Sequence, residues 1–257
     1  MNASSPLDWR TLPAAIWRGR TASLRPVQHP DPVRLDDLLG IDEQKRKIIQ
    51  NTERFLAGQP CNHVLLWGSR GTGKSSIVKA LLNAYAPRGL RVIEVDKDDL
   101  HDLPEIVDDI RDRSQRFIIY CDDLSFEDGE NQYKHLKSVL EGSLELPPEN
   151  VRIYATSNRR HLLPEYMKDN AQSQVVGREI HHGDAVEEKI SLADRFGLGL
   201  SFYPISEPQF FEIVDHLFGE VADREQLHIR ARRFSIEKGV RSGRTARQFY
   251  NQFVGEF

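Results

Sequence analysis

The chain carries a glycine-rich octapeptide that can surround phosphate groups, Gly68-Ser69-Arg70-Gly71-Thr72-Gly73-Lys74-Ser75. Its glycines let the backbone turn so that successive N–H groups point at phosphate oxygens. Lys74 is placed to reach the β- and γ-phosphates of a nucleoside triphosphate, and the Ser75 hydroxyl is placed to ligate Mg²⁺. The residues of this segment that we expect to bind the nucleotide are Gly68, Arg70, Gly71, Thr72, Gly73, Lys74, Ser75 and Ser76.

The sequence on either side of the octapeptide is that of a P-loop. An apolar run at 64–67 precedes it and favours a strand, and residues 77–82 follow it with the pattern of a helix. Strand, glycine-rich turn and helix is the order that phosphate binding at a helix N-terminus requires. The alternative is a glycine turn that only caps a helix, and the flanking segments argue against it. The sequence therefore predicts a site for a nucleoside triphosphate.

Polar side chains at the ends of two other apolar runs could complete this site. Asp122 and Asp123 come directly after the run 117–121, and Asn158 follows the run 151–156. A carboxylate at the carboxyl edge of a parallel sheet can hold Mg²⁺ through its water shell, which we assign to Asp122. Asp123 is then placed to polarise the attacking water, and Asn158 to orient that water or to sense the γ-phosphate. The alternatives are a solvated loop at the two aspartates and an ordinary turn at Asn158.

Five apolar segments alternate with segments of helical periodicity, which predicts an α/β fold with a parallel, doubly wound five-stranded sheet between helices. The five predicted strands are 64–67, 90–95, 117–121, 151–156 and 198–202. Residues 204–257 read as helical throughout and predict a small helical lid domain. Residues 37–203 would form the nucleotide-binding domain.

Residues 1–36 contain five prolines, which predicts an irregular N-terminal arm, because proline removes a donor and breaks helices. Trp9 and Trp17 in this arm could dock on a partner, but packing on the main body is the favoured interpretation. Arginines are in local excess between residues 230 and 247. Contact with nucleic acid is one explanation of this excess. The favoured explanation is that some of these arginines face the nucleotide and the others lie on a solvated helix face.

Composition narrows the location of the protein. A net charge of −4 and a pI near 6.2 give no global attraction to nucleic acid or to an anionic membrane. No apolar run approaches the roughly 20 residues that cross a bilayer, and the N-terminus lacks the pattern of a signal peptide. The two cysteines, Cys61 and Cys121, have no metal-ligand spacing, so we expect a reduced, cytoplasmic protein without a membrane partner.

Taken together, these motifs resemble the AAA+ ATPase module. Residues 68–75 are similar to its Walker A, 117–123 to its Walker B and Asn158 to its sensor 1. Residues 192–197, with Arg195, look like the arginine-finger box, and 243–249, with Arg244, look like sensor 2 in the lid. Residues 38–41, ending in Ile41, lie where that family contacts adenine.

Longer strings at 63–68, 121–127 and 154–162 resemble the bacterial AAA+ family catalogued as domain of unknown function 815, over roughly residues 35–257. The resemblance implies an ATPase that uses ATP and Mg²⁺ to drive conformational change in a protein or nucleic-acid client. It also implies a homo-oligomer, ring or filament, in which Arg195 reaches the γ-phosphate bound to a neighbouring subunit.

One residue departs from the AAA+ pattern, which usually has Glu where this chain has Asp123. The shorter side chain moves the base back, and a misplacement of about 1 Å can slow a reaction by about 10²-fold. The alternative function is therefore a slowly hydrolysing loader or regulatory switch acting on nucleic acid or a protein complex. Glu127 is a less favoured substitute base, and Arg159 and Arg160 are less favoured arginine fingers. A P-loop kinase is the third possibility, against which the sensor and lid pattern argues.

Overall fold

A computed structural model describes residues 7–125, 133–142, 146–159 and 191–257. Its centre is a seven-stranded sheet in the order β2-β1-β4-β5-β6-β3-β7. Each neighbouring pair is parallel except β1 with β2. The strands are β1 (Ala14–Arg18), β2 (Ser23–Pro26), β3 (Val64–Gly68), β4 (Leu90–Glu94), β5 (Arg116–Cys121), β6 (Val151–Ser157) and β7 (Leu198–Phe202).

The described residues also form seven α-helices, which cover the sheet and build a C-terminal bundle. They are α1 (Asp42–Leu56), α2 (Lys74–Tyr85), α3 (Leu103–Ile110), α4 (Tyr133–Glu141), α5 (Glu207–Phe218), α6 (Arg224–Glu237) and α7 (Gly243–Phe253). No helix in the described ranges is both long and apolar enough to span a membrane.

The five strands expected from the apolar runs are present, and they are the five contiguous parallel strands β4-β5-β6-β3-β7. Their apolar side chains are buried in two layers, one on each face of the sheet. Such double burial explains why these strands are continuous apolar runs rather than alternating ones. Since all five run in the same direction, their carboxyl ends meet at one edge, beside the turn between β3 and α2.

The expected strand count and the expected irregular arm are both wrong. Residues 14–18 and 23–26 form β1 and β2, which extend the sheet beyond β4 to seven strands. Pro13 directly precedes β1 and Pro26 ends the edge strand β2. A strand tolerates proline at its start and on an edge, so the prolines bound these strands without preventing them.

The packing of both arm tryptophans on the main body is confirmed. Trp9 is 4% and Trp17 6% exposed, both within the same apolar layer. The Trp17 indole N–H donates to Asp102 at 2.8 Å. The buried Arg91 guanidinium donates to the carbonyl of Trp9 at 2.6 Å, which ties the arm to β4.

The C-terminal helices α5, α6 and α7 surround an apolar core of their own, centred on Phe210, Phe234 and Phe249. Ser206, Asp223 and Ser242 each accept a backbone N–H at the start of one helix, as N-caps do. The sequence indicated this bundle by its 3.6-residue periodicity. Its interpretation as a moving lid stays a prediction.

Candidate nucleotide site

A cavity of about 710 Å³ lies where the carboxyl edge of the sheet faces the C-terminal helices. Of the residues predicted to form the site, twelve line it: Ile41, Arg70, Gly71, Thr72, Gly73, Lys74, Ser75, Ser76, Asp122, Asp123, Asn158 and Arg244. Gly68 and Arg195 are not among the lining residues. The structure thus brings together side chains from the turn after β3, the carboxyl ends of β5 and β6, and α7, which lie far apart in the sequence.

The turn between β3 and α2 requires its glycines. Gly68, Gly71 and Gly73 have φ of +131°, +74° and +100°, a region that other residues rarely adopt. A Cβ on Gly68 would also lie 2.0 Å from the carbonyl oxygen of Phe202, so the turn passes against the end of β7. The N-cap of α2 is Gly73, which has no side chain to bond the first turn of the helix. Its backbone N–H groups are therefore available to an anion.

The Lys74 ammonium is held inside this turn. It donates to the carbonyls of Gly68 and Ser69 at 2.8 and 2.7 Å and to the Asn158 amide oxygen at 3.2 Å. Burial lowers the pKa of Lys74, while the carboxylates of Asp123 and Asp122 act in the opposite direction. A buried cation bonded to backbone carbonyls is suited to a polyphosphate, because charged phosphate oxygens are stronger acceptors and can take the place of those carbonyls.

The Asp122 carboxylate and the Ser75 hydroxyl lie 2.8 Å apart, although 47 residues separate them in the chain. Thr156 on the neighbouring strand donates a second hydrogen bond to the same carboxylate oxygen at 2.5 Å. Burial by itself raises the pKa of Asp122, but the surrounding hydroxyl groups outweigh it and hold that pKa below its usual value. The carboxylate is therefore ionised at neutral pH.

This donor set fits a magnesium ion. A carboxylate and a hydroxyl next to a phosphate site are ligands of the kind Mg²⁺ accepts. Within the described ranges no cluster of three or more His, Cys, Asp or Glu side chains offers an all-protein metal cage. Ser75 and Asp122 are the residues that would hold the ion.

Asp123 has the left-handed backbone conformation, with φ of +52°. Its N–H donates to the Thr156 hydroxyl at 2.9 Å, and its carboxylate accepts a hydrogen bond from the Asn158 amide at 2.6 Å. Aspartate tolerates this conformation better than glutamate, because its short side chain can bond locally. Lys74, Asn158 and Asp123 thus form one continuous hydrogen-bonded chain across the site.

Sequence reasoning missed the role of Thr156. It bonds the side chain of Asp122 and the backbone of Asp123, so it orients both acidic residues. It lies near the end of the same strand that delivers Asn158, and its polar character at the end of an apolar run was the available signal.

Part of the cavity wall is apolar. The predicted segment 38–41 contributes Leu38, Leu39 and Ile41 to its wall, and the C-terminal bundle contributes Ile205, Ile213 and Leu217. An apolar slot beside a phosphate-binding turn suits the flat face of a purine base. The three bundle residues were also missed, because their periodic spacing is equally that of ordinary helix-core positions.

The C-terminal bundle touches the phosphate-binding turn directly. The N–H of Gly243, the first residue of α7, donates to the carbonyl of Gly71 at 3.1 Å. A Cβ on Gly71 would lie 2.8 Å from the Ser242 hydroxyl, so the two segments are in close contact. Arg244 and Arg247 line the cavity from this helix.

Several arginines of the C-terminal stretch are held within the bundle. Arg232 and Arg241 pair with Glu207 at 2.7 and 3.0 Å, and Arg230 pairs with Glu256 at 2.9 Å. Arg230 also lies over the ring of Phe253. These pairs leave less of the local positive charge for nucleic acid than the sequence alone indicated.

Arg195 lies away from the cavity of its own chain. Its guanidinium bonds the Glu141 carboxylate on α4 and the Ser191 hydroxyl. Arg159, a less favoured finger, follows Asn158, and its N–H donates to the Ser157 hydroxyl at 3.1 Å. The substitute base Glu127 and the second less favoured finger, Arg160, lie outside the described residues.

Comparison with known proteins assigns the chain to a family. The model of the family described as "Protein of unknown function (DUF815)" matches residues 10–257, so the chain belongs to that family. The chain is 36% identical over 69 residues to the replication factor C large subunit of Staphylothermus marinus, which covers 26% of this chain and 16% of that protein. It is 37% identical over 79 residues to a 26S proteasome regulatory subunit 6B homologue of Schizosaccharomyces pombe, which covers 27% and 20%.

The fold is also found among solved structures. The Aeropyrum pernix ORC1 protein, solved in complex with DNA, aligns with a TM-score of 0.58 at 14% identity, over 81% of this chain and 58% of that one. The chain therefore spans well under two thirds of each of these proteins. The predicted resemblance to AAA+ ATPases and to the DUF815 family is confirmed, and the α/β fold with its mostly parallel sheet resembles that of AAA+ ATPases.

Proposed function

We propose that this member of the DUF815 family binds ATP with Mg²⁺, hydrolyses it, and converts the cycle into movement of its C-terminal helices against the sheet. The observation that carries the proposal is the meeting of three groups in one cavity. A buried lysine in a glycine turn, a Ser75–Asp122 pair and an Asp123–Asn158 pair come from three separate segments. Together they supply phosphate binding, metal binding and activation of water.

Binding begins at the turn between β3 and α2. The phosphates replace the carbonyls of Gly68 and Ser69 as acceptors for Lys74, and the uncapped N–H groups of α2 bind the remaining oxygens. Mg²⁺, held by Ser75 and Asp122, neutralises charge on the phosphates when it is bound. The base enters the slot formed by Leu38, Leu39 and the apolar residues of the bundle.

Hydrolysis needs a water in line with the γ-phosphate and a group that accepts its proton. Asp123 is the acceptor, and the Asn158 amide, which bonds both Asp123 and Lys74, fixes its position relative to the γ-phosphate. Arg244 is placed to bind the phosphates from α7. Charge that develops in the transition state is stabilised further by Arg195 of a neighbouring subunit in a homo-oligomer, since Arg195 does not line the cavity of its own chain.

Coupling to movement follows from the contact between α7 and the phosphate-binding turn. Because Gly243 bonds Gly71 directly, a nucleotide that reshapes the turn also shifts the start of α7. The bundle carrying Ile213 and Leu217 then moves as a lid over the base. The client that responds is a macromolecule, protein or nucleic acid, and the protein acts in the cytoplasm.

The test is titration calorimetry of the full chain with ATP and MgCl₂, together with a phosphate-release assay. We expect saturable binding and turnover, and loss of tight binding in Lys74→Ala. Lys47→Ala, which removes a surface lysine paired with Glu43 on α1, is the matched control and should behave as the parent. Equal ATP affinity in all three proteins would refute the proposed phosphate site.

A second candidate, the slow switch, is favoured by the state of Asp123. Its side chain is one methylene shorter than that of glutamate, and the hydrogen bond from Asn158 at 2.6 Å holds the carboxylate in that retracted position, which favours slow hydrolysis. In a slow switch, the conformation of the ATP-bound protein, rather than repeated hydrolysis, determines the effect on the client. Steady-state turnover with and without nucleic acid separates the two: strong basal turnover favours a remodelling motor, and turnover that rises only with DNA favours a loader.

A further inference from the structure

The Tyr120 hydroxyl lies beside the acidic centre of the site and has no hydrogen-bond partner among the residues that the structure describes. Tyr120 is on β5, two residues before Asp122, and its side chain is only 4% exposed. Its oxygen is buried and makes no hydrogen bond within the described part of the chain. The polar groups near it are those of Ser75, Asp122 and Thr156, which are bonded to one another. The Tyr120 hydroxyl is close enough to help lower the pKa of Asp122, but it makes no hydrogen bond of normal geometry to any of the three.

The neighbouring strand provides a direct comparison. Tyr154 on β6 is the register partner of Tyr120 and is fully buried in the same apolar layer. Its hydroxyl, however, is bonded to the Thr52 hydroxyl at 2.8 Å and to the Asn51 amide at 3.2 Å. Burial of a tyrosine at this level of the sheet therefore does not by itself leave the hydroxyl unpaired.

An unpaired buried hydroxyl weakens a fold relative to phenylalanine, which fills nearly the same volume without a polar atom. Native proteins leave few such groups, and those that persist commonly serve a function. Tyr120 is therefore expected to bond something that arrives with the nucleotide. A tyrosine hydroxyl can both donate and accept, so it can bond a carboxylate and a water at once.

Magnesium bound at Ser75 and Asp122 would bring such a partner. Mg²⁺ keeps several of its waters in protein sites, and each bound water needs an acceptor. Groups just outside the ligands orient them and tune metal affinity. We propose that Tyr120 is a positioning residue of the magnesium site, whose hydroxyl bonds the Asp122 carboxylate and the water shell of Mg²⁺ in the nucleotide complex. This inference rests on the proposed ATP site and names a residue that the Walker-type motifs do not include.

The test compares Tyr120→Phe with Tyr154→Phe in the full chain. The affinity for a fluorescent, non-hydrolysable ATP analogue is measured once with EDTA and once with MgCl₂, and the ratio gives the gain due to magnesium. With EDTA present, we expect Tyr120→Phe to bind the analogue with an affinity within about twofold of the parental value. Its gain in affinity due to magnesium should be roughly tenfold smaller than that of the parent, as for other groups just outside a metal's ligands. Tyr154→Phe should keep the parental gain.

Thermal unfolding without nucleotide or Mg²⁺ provides the second readout. Tyr120→Phe should unfold at or above the parental temperature, because it loses no hydrogen bond, and Tyr154→Phe should unfold below it. A full magnesium gain in Tyr120→Phe would overturn this inference and leave the proposed function intact. Destabilisation of Tyr120→Phe to the extent of Tyr154→Phe would also overturn it, since the hydroxyl would then be structural. A parent without magnesium-dependent binding would reject the proposed function and this inference together.

Discussion

Replacement of Asp123 by asparagine tests the proposed chemistry most directly. Asparagine keeps the size of the side chain and tolerates the left-handed backbone that the residue adopts at φ of +52°. Its amide oxygen can still accept the hydrogen bond that Asn158 donates at 2.6 Å. The substitution therefore removes the negative charge and the basicity of the group and leaves the local structure in place.

The size of the effect follows from what the structure retains. Lys74, Ser75 and Asp122 are unchanged in Asp123→Asn, so ATP affinity should stay within a few-fold of the parent. Loss of a positioned general base typically slows a reaction by about 10²- to 10⁴-fold, which corresponds to about 3–5 kcal/mol in the barrier. We expect the lower end, about 10²-fold, because a base already held back by its short side chain contributes less.

The assay is single-turnover phosphate release with calorimetric ATP affinity measured on the same preparation. Asp109→Asn, at an exposed position on α3, is the control for the loss of one negative charge. Asp122→Asn should differ from both by also weakening magnesium-dependent binding. Turnover of Asp123→Asn at the parental rate would refute the assignment of Asp123 as the base.

The other predictions concern the subunit contact, the turn and the pH response. Arg195→Ala should bind ATP normally, but its turnover should be about 10³-fold slower than that of the parent. Mixing it with Lys74→Ala should restore phosphate release. If light scattering shows that the two variants co-assemble and phosphate release does not recover, a role in trans is excluded. Gly71→Ala should lose about 1–2 kcal/mol in denaturant unfolding and bind ATP more weakly, because its φ is +74° and its new methyl group meets Ser242. Gly89→Ala is the matched control, with φ of +92° and no atom within 4 Å, and should show only the backbone cost. Burial lowers the pKa of His63 to about 4, and its Nδ1 accepts the Ile153 N–H at 2.9 Å. Between about pH 6.5 and 4 the His63 side chain is therefore protonated in the unfolded chain but not in the folded one. The contribution of His63 to the free energy of unfolding should be fully present above pH 6.5 and should fall by at most about 3 kcal/mol as the pH drops to 4. His63→Asn should flatten that slope in urea titrations, and an unchanged slope would show that another group is responsible.

The N-terminal arm shows where sequence patterns misled. Proline density predicted irregular chain, yet Pro13 and Pro26 lie at the ends of β1 and β2, where a strand tolerates them. Whether a short segment becomes a strand depends on whether an edge such as that of β4 is free to pair with it. That pairing is non-local, so neither composition nor local periodicity contains it.

The sequence by itself determined the phosphate-binding turn, the five central strands and the strand-end positions of Asp122, Asp123 and Asn158. It could do so because each of these features is contiguous: positive-φ glycines, a lysine and a serine follow one another, and doubly buried strands need unbroken apolar runs.

Only the tertiary structure decided what contacts those residues. Thr156 bonds two acidic residues more than 30 positions away, the apolar slot takes residues from the C-terminal bundle, and the hydroxyl of Tyr120 is left unpaired while that of its register partner Tyr154 is not. The physical reason is that hydrogen-bond satisfaction depends on which groups lie within about 3 Å in the folded chain. A residue's type states what it can bond, and the packing of strands and helices decides whether a partner is there.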